Sequence, residues 1–150
     1  MTIHATRVWL LLPVAIVGLL DIALTLIGQS ASYWSGNYQE VLEANPFAMP
    51  FLVRSPWLFL GSAIGFLALM CGLLLLWKHR IANSFAIFMA VSHTLGGSAW
   101  LLRVMGWGAA VVYLVLAAQL MLFCWRRYHS SSAASATSRT CSIDRRIFRS

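Results

Sequence analysis

The sequence predicts an all-α protein, a four-helix transmembrane bundle with both termini on the cytoplasmic side. Three observations lead to this prediction. Hydrophobic residues make up 60% of the chain and charged residues 10%, whereas soluble domains contain about 25% charged residues. The apolar residues form four runs that are close to the length of about 20 residues required of a membrane-spanning helix. Basic residues are concentrated at one set of run ends, which orients the bundle.

The four apolar runs are separated by one long connection and two short ones. Residues 78–80 ("KHR") separate the second run from the third, and residues 103–106 ("RVMG") separate the third from the fourth. Connections this short make consecutive helices antiparallel neighbours. The predicted spans are residues 8–28, 57–77, 81–102 and 107–125, within a membrane domain of residues 1–128.

The first run has an alternative interpretation as a cleaved signal peptide that ends near residue 30 and has Arg7 in its basic region. The apolar part of a signal peptide is usually about 7–15 residues long, whereas this run covers residues 8–28 and contains Asp21. The first run is therefore interpreted as a spanning helix.

The distribution of lysine and arginine predicts the orientation. Four spans place the N-terminus, the KHR turn and the C-terminus on one side of the membrane. Since cytoplasmic segments carry the excess of basic residues, both termini are predicted to be cytoplasmic, in a multi-pass protein of the cell (inner) membrane. Tryptophans near both predicted boundaries agree with these span positions. One side carries Arg7, Lys78, Arg80, Arg126 and Arg127, and the other carries Arg54 and Arg103.

The C-terminal residues 129–150 are rich in Ser and Arg and show no apolar periodicity. This composition is typical of disorder, so a disordered basic cytoplasmic tail is predicted. The formal charge of +7 is spread over the span boundaries and this tail, which favours the lipid bilayer over nucleic acid as the partner. The three cysteines are scattered and predict neither a disulfide framework nor a zinc site.

Two polar residues lie deep in the predicted spans. Asp21 is the only acidic residue inside a span, and His93 is the only histidine deep in one. An Asp at the centre of a membrane helix costs about 2.5–3.5 kcal/mol. Counted from the basic boundary at 1.5 Å per residue, Asp21 lies about 20 Å deep and His93 about 18 Å deep. The two side chains share a level and meet if the first and third spans pack side by side.

Small residues surround both positions and suit close helix packing. Gly96 and Gly97 lie about one turn from His93. In the structural interpretation, Asp21 bonds to Thr25, His93 or the backbone and the small residues allow helix association. In the functional interpretation, the polar residues form an ionisable site inside the membrane. The small polar stripe of the first span is Gly18, Asp21, Thr25 and Gly28.

Two further acidic residues lie in the long connection, residues 29–56. If "YQEVLEA" forms a short helix, Glu40 and Glu43 share a face. Glu40 is interpreted as solvated, and Glu43 either as a solvated loop residue or as a lid over the level of Asp21 and His93. Pro46 favours extended geometry at Asn45, which predicts a sharp turn there. The candidate polar cluster is Asp21, Thr25, Glu43, Asn45 and His93.

The chain resembles a family of small bacterial and archaeal multi-pass membrane proteins of unknown function. Two motifs carry the resemblance: Asp-x3-Thr in the first span and Glu-x-Asn-Pro before the second. The resemblance covers about residues 8–77, and its matching residues are Asp21, Thr25, Glu43, Asn45 and Pro46. Members often have a lysine early in the second span, where this chain has Gly61, Ser62 and Ala63. The resemblance implies that the five residues act as a unit, and it implies no activity or cofactor.

Three functions are compatible with the cluster. It can serve helix packing or the binding of an ion, a lipid or a partner subunit, which includes a second copy of the chain. A membrane-embedded metal-dependent hydrolase is an alternative, with Asp21, Glu43 and His93 as ligands, although no HExxH or GxSxG motif is present. Proton or cation translocation through an oligomer is another alternative, with Asp21 as the titrating group.

Overall fold

The computed structural model of the chain describes the backbone of residues 3–43 and 45–147, and the side chains of residues 7–43, 45–78 and 80–131. Its helices are α1 (Ile3–Ile27), α2 (Ala31–Trp34), α3 (Met49–Leu52), α4 (Pro56–Leu76), α5 (His79–Met105) and α6 (Trp107–Ile147). A 3₁₀ turn, Tyr38–Glu40, lies between α2 and α3. The described residues contain no strand, which confirms the all-α prediction.

Four of these helices are long and apolar enough to cross a membrane, as predicted. The spanning stretches are Arg7–Ile27, Pro56–Leu76, Arg80–Met105 and Trp107–Ser131. Their bounds differ by a few residues from those predicted, because helix ends are set by local capping as well as by hydropathy. The side of the membrane on which the termini lie stays a prediction.

The ends of the spanning helices follow from local chemistry. Ser55 caps α4, since its Oγ accepts a hydrogen bond from the Trp57 N–H at 3.2 Å, and Pro56 occupies the first helical position, where its missing N–H costs nothing. Only Trp77 and Lys78 separate α4 from α5. Gly106 ends α5 with a φ of 84°, a conformation in which glycine has no steric penalty. The predicted short connections are therefore confirmed.

Helix α1 is the centre of the bundle. It packs against α4, α5 and α6, and its largest contact is with α5. Val14 and Val17 of α1 are fully or almost fully buried, as is Leu74 of α4. The spanning stretch of α1 is 39% buried, whereas those of α4 and α6 are each 17% buried. Most of the surface of the spanning stretches of α4 and α6 is therefore apolar and open to lipid or to another protein.

One face of α4 is open along much of the helix. Gly61, Gly65 and Gly72 have no atom within 4 Å of the position that a Cβ would take. These glycines therefore make no close helix contact within the described part of the chain.

The basic residues predicted to share one side lie at one end of the bundle. Arg7 Nη1 donates to the carbonyl of Leu75 and, at 3.4 Å, to that of Leu74, so the start of α1 meets the end of α4. The rings of Trp9 and Phe123 are 6.0 Å apart, which places α6 at the same level. We call this end the basic end; it carries Arg7, Lys78, Arg80, Arg126 and Arg127.

The last helix is longer than the sequence predicts. Helix α6 continues to Ile147, through most of the segment for which a disordered tail, residues 129–150, is predicted. Residues 129–147 contain neither Gly nor Pro, the two residues that most readily end a helix. Residues 148–150 of the predicted tail lie outside the described residues.

Candidate functional site

The structure brings Asp21 and His93 together. Asp21 Oδ2 and His93 Nδ1 are 2.9 Å apart, and the two side chains are 20% and 19% exposed. The predicted contact forms because α1 and α5 pack side by side in the same direction and carry the two residues at the same depth. The hydrogen bond of Asp21 to His93 is one of the three that the structural interpretation allows.

Glycine on α5 makes this contact possible. The carboxylate of Asp21 lies against the backbone at Gly96, where a Cβ would be 2.7 Å from Oδ1 and 2.9 Å from Oδ2. Real Cβ contacts are longer than this, so a side chain at position 96 would displace the carboxylate. On α1, a Cβ at Gly18 would lie 3.6 Å from Cδ2 of the His93 imidazole. Both partners of the pair therefore lie against small residues of the facing helix.

Tyr113 of α6 completes the polar centre, although it is not among the site residues predicted from the sequence. A Cβ at Gly97 would lie 2.8 Å from the Tyr113 hydroxyl, and Gly97 directly follows Gly96, against which the Asp21 carboxylate lies. The signal that could have found it is depth. Tyr113 lies six residues after Trp107, away from the membrane boundary where tyrosines are usual.

Two buried atoms of this centre have no hydrogen-bond partner among the described residues. They are Nε2 of His93 and the hydroxyl oxygen of Tyr113. Buried polar atoms are usually paired, so two unpaired atoms beside one carboxylate mark this part of the bundle as chemically unusual. Helices α1, α5 and α6 each contribute one polar side chain to it.

Thr25 lies on the same stripe of α1 and is buried. Its carbonyl accepts a hydrogen bond from Gln29 Nε2 at 2.9 Å. Gln29 Oε1 in turn accepts from the Leu42 N–H at 2.9 Å. Gln29, which the sequence analysis did not single out, therefore ties the end of α1 to the connection that follows it.

Glu43 and Asn45 form a turn of their own. Glu43 Oε1 accepts a hydrogen bond from the Asn45 N–H at 2.7 Å, and Asn45 Oδ1 accepts from the Phe47 N–H at 2.9 Å. These local bonds fulfil the prediction of a sharp turn at this point. They also hold the Glu43 carboxylate at the backbone of Asn45, whereas the lid interpretation requires Glu43 to face the Asp21–His93 pair.

The short helix on which a shared face of Glu40 and Glu43 depends is absent from the described residues 38–43 of "YQEVLEA". The structure has only the 3₁₀ turn Tyr38–Glu40, and Val41 after it is extended, with φ −65° and ψ 134°. Glu40 and Glu43 therefore share no helical face. Glu40 is exposed, and its Oε1 accepts from Asn37 Nδ2 at 2.9 Å.

No group of three His, Cys, Asp or Glu side chains within the described ranges is placed to hold a metal ion. Asp21, Glu43 and His93 do not converge, although the metal-dependent hydrolase needs all three as ligands. The candidate site is therefore the Asp21–His93 pair with Tyr113 beside it.

Comparison of the chain with protein-family models, with curated proteins and with solved structures finds no match. The geometry around Asp21 and His93 is accordingly the basis on which a function is proposed.

Proposed function

We propose that the chain is a small multi-pass membrane protein in which the Asp21–His93 pair is an intramembrane ion-binding site, and that the proton is the ion that fits it. The observation that carries this proposal is the contact of 2.9 Å between Asp21 Oδ2 and His93 Nδ1 within two apolar helices. The alternative of proton or cation movement through an oligomer would use the same pair.

The balance of energies supports a role beyond helix packing. Placing an Asp at the centre of a membrane helix costs about 2.5–3.5 kcal/mol. A polar contact between membrane helices returns about 0.6 kcal/mol on average and about 1.7 kcal/mol at most. The bond to His93 therefore does not offset the cost of Asp21, so binding explains this carboxylate better than packing does.

His93 supplies the atom at which a proton can bind. When the imidazole is neutral, Nδ1–H donates to the Asp21 carboxylate and Nε2 keeps a free lone pair. Nε2 is buried and has no partner in the described part of the chain. A proton bound there produces an imidazolium beside the carboxylate, and the pair then carries no net charge.

A structural fastener is the second candidate function of the pair. It is favoured by the contact of the Asp21 carboxylate with the α5 backbone at Gly96 and by the position of the pair in the largest helix contact of the bundle. In this role, the pair would hold α1 against α5 and fix the shape of a scaffold.

Thermal unfolding in detergent separates the two candidates. The double variant Asp21→Leu/His93→Leu replaces both partners by apolar side chains, a change that is often neutral or stabilising for a buried pair. An ion-binding role predicts an unchanged or higher Tm, because the pair is present at a cost to stability. A fastener predicts a Tm lower by several degrees. Ser92→Ala, on the exposed side of α5 next to His93, is the matched control and should leave the Tm unchanged.

The partners of the chain belong to the same proposal. The open apolar surfaces of α4 and α6 are available to the lipid bilayer, to another membrane protein or to a second copy of the chain. The mass of the purified particle, corrected for bound detergent, distinguishes a monomer from an oligomer.

Residence in the cell (inner) membrane with cytoplasmic termini is also proposed, on the grounds of the excess of basic residues at the basic end. Protease protection of tags at the two termini in right-side-out vesicles tests it, because both tags should then resist digestion.

A further inference from the structure

A shallow, wide-open groove of about 490 Å³ lies along one face of α5 at the basic end of the bundle. It is lined by Arg80, Ile81, Ser84, Phe85 and Phe88. The groove is far from the Asp21–His93 pair, since His93 lies 13 residues after Arg80, about 20 Å along the helix. We propose that this groove binds one anionic phospholipid, with the phosphate on Arg80 and an acyl chain against the two phenylalanines.

The lining residues follow one another on a single face of α5. Ile81, Ser84, Phe85 and Phe88 have the spacing i, i+3, i+4 and i+7, which places them on the same side of a helix. Arg80 stands at the start of the spanning stretch Arg80–Met105. The lining therefore changes from basic and hydroxylic at the membrane boundary to aromatic about 12 Å deeper, in the same order as the phosphate and acyl chain of a phospholipid.

The apolar wall of the groove is held in place by ring contacts. The ring of Phe85 lies 5.0 Å from that of Trp77, at an interplanar angle of 76°, and 6.4 Å from that of Phe88. Phe85 is half-buried, whereas Phe88 is 62% exposed. One phenylalanine is therefore fixed against the protein and the other presents its ring to whatever fills the groove.

The guanidinium of Arg80 is available for a ligand. Arg80 is exposed and makes no ion pair or hydrogen bond with any other residue that the structure describes. By contrast, Arg7 donates hydrogen bonds to the carbonyls of Leu74 and Leu75. The Cζ atom of Arg127 lies 5.4 Å from the centroid of the Phe123 ring. Arg80 is thus a basic residue of this end that faces the groove and has no internal partner.

The positive charge of the basic end favours an anionic ligand in the groove. The acidic residues of the sequence are Asp21, Glu40, Glu43 and Asp144, and the three whose side chains are described lie in the other half of the bundle or in the connection before α4. No described carboxylate therefore neutralises the basic end. Arginine binds phosphate oxygens through two parallel N–H groups, and the aromatic floor below it selects a phosphate that carries an acyl chain over a soluble one.

The test compares phosphatidylglycerol with phosphatidylcholine of identical acyl chains, each added to the delipidated full chain in detergent, with binding followed by native mass spectrometry. The variants are Arg80→Gln, Phe88→Ala and Arg126→Gln. Arg126 is a matched control because it lies at the same end, is exposed and loses the same charge, but does not line the groove.

Arg80→Gln should weaken phosphatidylglycerol binding about tenfold, the usual scale for one charge-assisted contact, and should leave phosphatidylcholine binding unchanged. Arg126→Gln should change neither by more than about twofold. Phe88→Ala should weaken the binding of both lipids, because both carry the same acyl chains.

Equal losses for Arg80→Gln and Arg126→Gln would overturn the proposal, since the whole basic end and not the groove would then attract the lipid. Wild-type binding that does not distinguish the two lipids would overturn it as well. Arg80→Lys keeps the positive charge and serves as a check that any loss in Arg80→Gln comes from the lost charge and not from misfolding. It should retain most of the preference for phosphatidylglycerol.

Discussion

The carboxylate of Asp21 lies directly against the backbone of α5 at Gly96, where a Cβ would be 2.7 Å from Oδ1. Because this contact leaves no room for a methyl group, Gly96→Ala should push the carboxylate away and lengthen its bond to His93. We expect the free energy of unfolding in detergent to fall by about 1–3 kcal/mol, the usual cost of overpacking. The Tm of the purified variant measures the effect.

Gly61→Ala is the control for this substitution. Gly61 is also within a spanning helix, but nothing lies within 4 Å of its added Cβ. Alanine should be neutral there or should stabilise the helix by about 0.5–1 kcal/mol, because it has the higher helix propensity. If Gly96→Ala were as harmless as Gly61→Ala, the close contact of Asp21 with α5 would be contradicted.

Tyr113→Phe should not destabilise the protein. The hydroxyl that it removes is buried and has no partner among the described residues, and a buried unpaired polar group costs about 1–3 kcal/mol. We expect an unchanged or slightly higher Tm. A Tm lower by several degrees would show that the hydroxyl makes a stabilising hydrogen bond, and Tyr113 would then belong to a fastener and not to an ion-binding site.

Tyr33→Phe should loosen the connection between α1 and α4. Tyr33 is fully buried, and its hydroxyl donates to the Leu52 carbonyl at 3.0 Å. Loss of this bond leaves the carbonyl unpaired, at a cost of about 1–2 kcal/mol. Limited proteolysis after the exposed Phe47 should become faster. Tyr38→Phe is the control, because the Tyr38 hydroxyl makes no hydrogen bond within the described residues and its loss should leave the rate unchanged.

The same tyrosine predicts a loss of stability at alkaline pH. Burial, followed by the neighbouring Tyr38, raises the pKa of Tyr33 above its ordinary value of 10.0. At a pH between the unfolded-state pKa and the folded-state pKa of Tyr33, the folded chain holds a proton that the unfolded chain has lost. The contribution of Tyr33 to stability is therefore complete below about pH 10 and disappears as the pH rises through the folded-state pKa. Stability measured against pH should therefore fall less steeply above pH 10 in Tyr33→Phe than in the wild type.

The shared depth of Asp21 and His93 could be predicted from the sequence, whereas their contact also depends on α1 and α5 packing side by side, which residue counting does not show. Counting residues from the basic boundary places both side chains at the same level, and the first and third spans run in the same direction because successive spans cross the membrane in opposite directions. Depth marks Tyr113 as unusual, but it does not show that Tyr113 faces α5. In lipid, apolar residues face both the bilayer and the bundle interior, so hydropathy does not reveal which side of α6 meets α5.

The connection between α1 and α4 was harder to predict for a different reason. Glu43, Asn45 and Asn37 have side chains that compete for nearby backbone and side-chain partners, and such local bonds replace a regular helix. The interpretation of Glu43 as a lid depended on a short helix in this connection. The structure has only one 3₁₀ turn there, which ends at the extended residue Val41. The tie made by Gln29 joins residues 13 apart in the chain, and no local pattern indicates it.

The most direct test of the central claim is nitrogen NMR of the full chain in detergent with ¹⁵N-labelled histidine, in which His93→Gln identifies the signals of His93. If the Asp21–His93 pair binds a proton, the His93 nitrogens should change reversibly between the neutral and the protonated pattern as the pH is varied. A His93 that keeps one pattern across the whole pH range in which the protein stays folded would contradict the claim and leave the pair a fastener of α1 and α5.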